Sequence, residues 1–233
     1  EISLNTFNLD IDDLSVQLEK ASELGNLPKV IAAVDFGGLP SASQELKYLS
    51  ERYGFKILVD SAHGIGSQIG NIPTGANPFS DITVFSFHAI KIITSGEGGA
   101  LTTNDEELAE KIACLRSHGI VRVKNPRDRE LNGELWNYDV AELGYNYRMT
   151  DIQAALGHSQ LKKLKSFIKI RHKLMDLYRK ELDTRFTLQE VHSNLYSAYH
   201  LNTILLPDTM VMKKREIINQ LAEKSIQLNY HYI

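Results

Sequence analysis

Residues 82–99 read ITVFSFHAIKIITSGEGG, and this stretch decides the fold. Ile82 to Phe87 is apolar on both alternating sets of positions, Ile82 and Val84 on one and Phe85 and Phe87 on the other. That is the pattern of a strand covered on both faces rather than of a half-solvated one. The run leads to Lys91, set between Ile90 and Ile92, then to a glycine-rich turn at Gly96-Glu97-Gly98-Gly99 and a shorter apolar run at Ala100–Thr103. On the N-terminal side two more strand-length runs occur, Val30–Val34 and Phe55–Val59, the second ending at Asp60. Helical spacing separates them. Asp12 to Leu24 puts Leu14, Leu18, Ala21 and Leu24 on one face before Gly25, and Ser43 to Tyr53 turns Leu46, Leu49 and Tyr53 inward before Gly54. Asn104 followed by Glu107 has the capping-box pattern for a helix through Leu108, Ile112 and Leu115. Strands alternating with helices predict an α/β fold with a mostly parallel sheet between helices.

The C-terminal part is less regular. His118 to Met149 is polar and without periodicity, too long for an ordinary connector, and therefore functional or mobile. Thr150 and Gln153 cap a helix expected to run to about Leu182, whose basic middle is a solvated face. Tyr199–Leu206 and Ile226–Tyr232 read as strands flanking a helix. The expected division is a large unit over 1–160 and a partial, smaller α+β domain over 161–233. Of the 233 residues, 42% are hydrophobic and 24% charged, which suffices for a core. A net charge of −3 offers no attraction to nucleic acid or an anionic membrane. One cysteine, Cys114, excludes a disulfide framework and fits a reducing, cytoplasmic setting. No apolar run reaches the roughly 18 to 20 residues that span a bilayer. A first residue of Glu1 rather than methionine suggests a chain that begins inside a longer protein.

Three places carry chemistry. Val59-Asp60-Ser61-Ala62-His63-Gly64 puts a carboxylate at the end of a buried strand, where open α/β sheets bind ligands. Ser86-Phe87-His88-Ala89-Ile90-Lys91 puts an amine in apolar surroundings beyond another strand, and Gly144-Tyr145-Asn146-Tyr147-Arg148-Met149 precedes a helix. An aspartate and a lysine at strand ends of one sheet are what pyridoxal 5′-phosphate (PLP) chemistry requires. The amine, made nucleophilic by its apolar pocket, condenses with the cofactor aldehyde. The carboxylate pairs with the pyridine nitrogen and keeps it protonated, so that the ring accepts electrons from a substrate Cα–H bond. The same lysine, released, can shuttle the proton. Two other patterns fail. Gly64-x-Gly66-x-x-x-Gly70 is one residue too long for a dinucleotide fingerprint, and Asn71, Pro73, Gly75 and Pro78 follow it instead of helix formers. His63, His88 and His118 with Asp60 lack the close spacing of recurring metal motifs.

Together these segments resemble the DegT/DnrJ/EryC1/StrS family of nucleotide-sugar aminotransferases, and Gly144 to Gly157 is similar to a further family signature in the correct order. The resemblance covers essentially the whole chain. It implies a fold-type-I PLP-dependent transferase large domain, with Lys91 bonded to PLP and Asp60 at the pyridine nitrogen. By the same likeness His63 lies near the phenolic oxygen and Ser86 at the phosphate. Asn146 reaches the phosphate of a neighbouring subunit, which implies a homodimer with shared active sites. His88, Arg148 and His231 are candidate substrate contacts, although packing, a salt bridge and a loop position are ordinary alternatives for them. Implied substrates are L-glutamate as donor and a nucleotide-linked keto-sugar as acceptor. The Ser86–Lys91 wording is most similar to members acting at sugar C4 in bacterial surface-glycan synthesis, on a UDP-linked 4-keto-6-deoxy sugar or on the arabinose derivative used for lipid A. Family members that dehydrate sugars typically carry His where Lys91 stands, which favours amination; a non-catalytic dimerisation module is the remaining alternative. Relatives of this kind have roughly a hundred residues upstream of the position of Glu1 and continue beyond Ile233, so truncation at both ends is expected.

Overall fold

The structure, a computed structural model, describes residues 1–41, 43–122 and 138–230. Helix α1 (Ile11–Glu23) begins where the Asp10 carboxylate accepts the Asp13 N–H at 2.9 Å, a side-chain cap for an otherwise unpaired donor. Strand β1 (Val30–Val34) follows, then α2 (Gln44–Tyr53), opened by the Ser43 hydroxyl and closed by Gly54 in the left-handed conformation (φ 77°). Strand β2 (Lys56–Asp60), the short hairpin β3 (Gln68–Ile69) and β4 (Ile72–Pro73), β5 (Ile82–Ser86) and β6 (Gly99–Thr102) come next. The main sheet has the order β1-β2-β5-β6. β2 runs parallel to both β1 and β5, and β6 closes the edge antiparallel to β5. The described residues thus supply four strands of a mostly parallel sheet.

Leu14 and Leu18 of α1 and Leu46 and Leu49 of α2 pack with Ala33, Phe55, Ile57 and Val59 into one core cluster. The opposite face of β1 carries Val30 and Val34 at 53% and 43% exposure, so among the described residues that strand is covered on one side. A second cluster joins Ile92 and Ile93, just past Lys91, to Ile168 and Ala198 from the C-terminal part.

Helix α3 (Glu106–Leu115) starts one residue later than the pattern suggests. Asp105, not Asn104, accepts the Leu108 N–H at 3.0 Å, and Glu107 is then one place short of the capping-box position. The polar stretch after His118 contains an antiparallel pair, β7 (Ile120–Arg122) with β8 (Tyr138–Val140). Thr150 and Gln153 form both halves of a capping box on α4 (Asp151–Leu161). The expected long helix divides after it: Lys163 N–H donates to Gln160 O while Lys163 O accepts from Ser166 and Phe167, opening α5 (Leu164–Glu181). Among the described residues α4 has no buried side chain, whereas α5 buries Ile168 and Met175.

β9 (Thr187–Leu188) pairs with β11 (Ile204–Leu205), and β10 (Leu195–Tyr196) adds to β3. The strand expected over Tyr199–Leu206 shrinks to β11 for a visible reason. Arg171 donates to Tyr199 O at 3.1 Å and His200 O at 3.0 Å, taking carbonyls a strand would offer its neighbour, and Tyr199 sits at φ 45°. Helices α6 (Asp208–Val211) and α7 (Lys214–Glu223) follow. Residues 226–230 are irregular, and the rest of that expected strand lies outside the described residues. Among the described residues no helix is long and apolar enough to cross a membrane.

Phe55, 2% exposed, joins the α1–α2 layer to the sheet. Phe55→Ala is expected to lower the unfolding free energy by about 3–5 kcal/mol in urea titration, the usual range for a buried phenylalanine. A loss below about 1 kcal/mol would show that this layer is not the main core.

Candidate active site

Parallel register brings three strand ends together. Val34 is paired with Asp60, and Asp60 with Val84. Asp35, the turn from Asp60 to His63, and the segment from Ser86 to Lys91 therefore leave the sheet along the same edge, where open α/β folds bind ligands. The Asp60 carboxylate accepts the Ala62 N–H at 3.0 Å and is otherwise exposed. Its neighbour Ser61 is 1% exposed and donates its hydroxyl to Asp35 Oδ2 at 2.6 Å.

Lys91 is held in a closed loop. Its N–H donates to His88 O at 3.0 Å, and Phe87 ties the base of the loop by donating to Gly98 O at 2.8 Å and accepting from Ser95 N at 2.9 Å. The Thr94 hydroxyl adds a bond to Phe87 O at 3.1 Å. Ile92 and Ile93, at 6% and 2% exposure, sink into the second core cluster and fix where the lysine leaves the backbone. Burial lowers the Lys91 amine below its ordinary value, and the Asp60 carboxylate, close enough to act on it, partly opposes that. Gly98, at φ 153°, lies between the lysine loop and the third motif: a Cβ there would lie 2.5 Å from Ser95 Oγ and 2.7 Å from Met149 Cε, the flexible tip of that side chain.

The Ser86 hydroxyl, at the end of β5, accepts the His88 N–H at 3.3 Å. His88 is partly exposed, with Nε2 3.7 Å from Glu97 Oε1. His63 is buried, edge-on to Phe36 at 6.1 Å and tilted against His200 at 4.7 Å between ring centroids. Asn146 bridges to Ser117 through the backbone, between Tyr145 and Tyr147, whose rings stack at 4.8 Å. Asn146 and Arg148 are exposed, and His231 lies outside the described residues. Asp60, His63, Ser86, His88 and Lys91 thus gather at one sheet edge, with Asn146 and Arg148 attached through Met149.

Sequence reading missed two residues here. Asp35 ends an apolar run as Asp60 does, so the same signal could have found it. His200 has no local signal, because it reaches the site only through the packing of α5 and the segment after it.

A carboxylate at the end of one parallel strand and an amine in the loop that follows its neighbour are the arrangement of a class, the fold-type-I PLP enzymes. Over residues 1–233 the chain matches the DegT/DnrJ/EryC1/StrS aminotransferase family, and it belongs to that family. It is 36% identical over 231 residues to the UDP-4-amino-4,6-dideoxy-N-acetyl-beta-L-altrosamine transaminase of Campylobacter jejuni subsp. jejuni serotype O:23/36 (strain 81-176), covering 98% of this chain and 57% of that protein. Among solved structures it is similar to Helicobacter pylori PseC, an aminotransferase involved in the biosynthesis of pseudoaminic acid (TM-score 0.82, 31% identity, 97% of this chain and 57% of that one). It is also similar to Spr1654 of Streptococcus pneumoniae in its PMP form (TM-score 0.79, 26% identity, 100% of this chain and 61% of that one). The chain therefore spans little more than half the length of these relatives. Aminotransferases of this family are PLP-dependent, and the donor set fits that cofactor: a partly buried loop amine, a strand-end carboxylate whose charge reaches it and a strand-end hydroxyl at Ser86.

Asp35 is fully buried, and burial pushes its carboxyl up to about 6 from 3.8 against the opposing hydrogen bonds of Ser61 and Ser41, with the Asp60 charge adding to the rise. A carboxyl that holds its proton more tightly when folded favours the folded state most below pH 3.8. That advantage falls as pH rises towards about 6, by about 3 kcal/mol at 1.4 kcal/mol per pH unit, and is flat above. Wild-type stability relative to Asp35→Asn is expected to decline by that order between pH 4 and 7 in urea unfolding. A difference that stays constant across this range would show that the carboxyl ionises as freely folded as unfolded.

Proposed function

We propose that this chain is part of a PLP-dependent nucleotide-sugar aminotransferase that moves an amino group from L-glutamate to C4 of a UDP-linked 4-keto-6-deoxy sugar, in the synthesis of a bacterial surface-glycan precursor. One observation carries the reading. Lys91 is held by two buried isoleucines so that its amine, lowered by burial, lies within the field of Asp60 on the adjacent parallel strand. The C4 assignment is supported by 36% identity to a transaminase named for a 4-amino sugar nucleotide.

Bound PLP supplies an aldehyde and an electron-accepting pyridinium ring. Lys91 contributes the amine that holds the cofactor and then the base that carries a proton between carbon positions, a task suited to an amine with a lowered pKa. Asp60 would hold the proton of the ring nitrogen. Ser86 would offer a hydroxyl to the phosphate, and His63, in its aromatic niche, would lie on the phenolic side. His88, at the rim, and Arg148 are assigned to substrate; His231, given the same role from sequence, lies outside the described residues. Lys91, in place of the histidine typical of the sugar-dehydrating branch, favours amination.

The catalytic unit we infer is a homodimer to which Asn146 contributes across the interface. Around Asn146 the surface is apolar and open: Leu143 is 90% exposed, Tyr147 72% and Ile152 85%. So much exposed apolar area on one motif and the helix that follows it suits a covered interface. We also read the chain as a large unit over 1–160 followed by part of a smaller one over 161–233, with α5 docked back on the first through Ile168, and the setting as cytoplasmic.

In the full-length protein, borohydride reduction in the presence of PLP should leave a phosphopyridoxyl mass on the peptide carrying Lys91. Lys91→Ala should abolish the label and reduce amination by at least about a thousandfold, the scale of losing an essential nucleophile and base. Label on another lysine, or substantial turnover in the variant, would refute the assignment. Ile152→Asp should shift the protein from dimer towards monomer in sedimentation; an unchanged dimer would place the interface elsewhere.

A further inference from the structure

We propose that Asp35 is a positioning residue for the cofactor-facing carboxylate: it grips Ser61 and thereby sets where Asp60 is presented. The inference rests on the reading of Asp60 as the partner of the pyridine nitrogen. Asp35 has no exposed surface. Its backbone N–H donates to Asp60 O at 2.9 Å, so the two residues are joined across the ends of β1 and β2. Its Oδ2 accepts the Ser61 hydroxyl at 2.6 Å, and Oδ1 accepts both the N–H and the hydroxyl of Ser41 at 2.7 Å.

Ser61 is locked at every polar atom. Its N–H donates to Val84 O at 2.8 Å on β5, its carbonyl accepts from Gly64 N at 2.9 Å, and its hydroxyl goes to Asp35. The turn that carries Asp60 is therefore clamped from both flanking strands, by backbone bonds on each side and, on the β1 side, by a carboxylate as well. Gly64 closes the turn against that carboxylate, since a Cβ there would lie 2.8 Å from Asp35 Oδ2. A charged acceptor makes a stronger and more directional bond than a neutral one, which suits a part that must not drift.

The competing account is a polar knot that only closes the loop after β1. The two oxygens of Asp35 separate the accounts, because Oδ1 serves the loop through Ser41 and Oδ2 serves the Asp60 turn through Ser61. Ser61→Ala cuts the second link alone, and Ser41→Ala weakens the first alone. Asp35→Asn keeps the shape and an acceptor for Ser41 but removes the charged acceptor facing Ser61.

The test uses the full-length protein stripped of PLP. PLP affinity is read by titration, the glutamate half-reaction by the change of the cofactor spectrum in a single turnover, and apo-protein melting serves as the measure of fold. Ser61→Ala and Asp35→Asn should each weaken PLP binding and slow the half-reaction at saturating glutamate by about tenfold, the scale of one hydrogen bond to a charged group. Ser41→Ala should stay within about twofold in both, although all three lower the melting midpoint. If Ser61→Ala and Asp35→Asn keep wild-type affinity and rate, or if Ser41→Ala loses as much as they do, the positioning role is overturned. Asp60→Asn distinguishes the two levels. Loss of affinity and rate in that variant upholds the role of Asp60 whatever Asp35 does, whereas wild-type behaviour removes the reading and this inference with it.

Discussion

The site depends on the register that places β2 between two parallel neighbours. Val34, Asp60 and Val84 lie level across three strands, so that whatever follows each strand emerges at one edge. A slip of one residue on β2 would turn Ile57 and Val59 out of the core and carry Asp60 to the other face. The apolar cluster under α1 and α2 thus fixes the position of a carboxylate that takes no part in that cluster. Hydrophobic burial supplies the energy, and the period of two residues turns it into a coordinate for chemistry.

Lys91 is placed by a different device. No sheet bond reaches it, because β5 ends at Ser86. The loop is tied at its base by Phe87 and sunk at its far side by Ile92 and Ile93, which leaves the lysine backbone between two fixed points. Partial burial also lowers the amine, so the loop sets both where the lysine lies and how readily it gives up a proton. Asp60 acts against part of that lowering. The pair is thus tuned by the distance between strand ends as well as by desolvation.

The sheet strands, α2 with its Ser43 and Gly54 caps, and the Thr150–Gln153 box were legible because each is written in local sequence: apolar runs, capping side chains, a terminal glycine. Asp60 stood out because an apolar run stops there, at the end of β2, whereas Lys91, five residues beyond the end of β5, stood out only by its motif. The division of the long helix and the loss of the Tyr199–Leu206 strand had non-local causes. Lys162 and Lys163 carry no breaker, and the helix divides there as α5 presents Ile168 and Met175 to the core. Asn104 and Asp105 are equivalent caps by type, and only the start of the helix chooses between them. Tyr199 and His200 have strand-like composition but lose that structure to a guanidinium from α5. Asp35 carries the same signal as Asp60, a carboxylate where an apolar run stops, and lies outside the family motifs.

The C-terminal segment does more than extend the chain. Arg171, half-buried on α5, bonds the carbonyls of Tyr199 and His200, while Arg179 bonds the Tyr199 hydroxyl at 2.8 Å. Ala198 N–H reaches Gly38 O at 2.9 Å, and a Cβ at Gly38 would lie 3.0 Å from both His63 O and Tyr199 N. Two helix arginines therefore hold a segment in a left-handed turn against the floor of the site, and His200 meets His63 as a result. His63 is oriented from two directions, by Phe36 beyond β1 and by His200 beyond α5. Because glycine at position 38 is what lets these backbones approach, the tightness of this corner is set by a residue with no side chain.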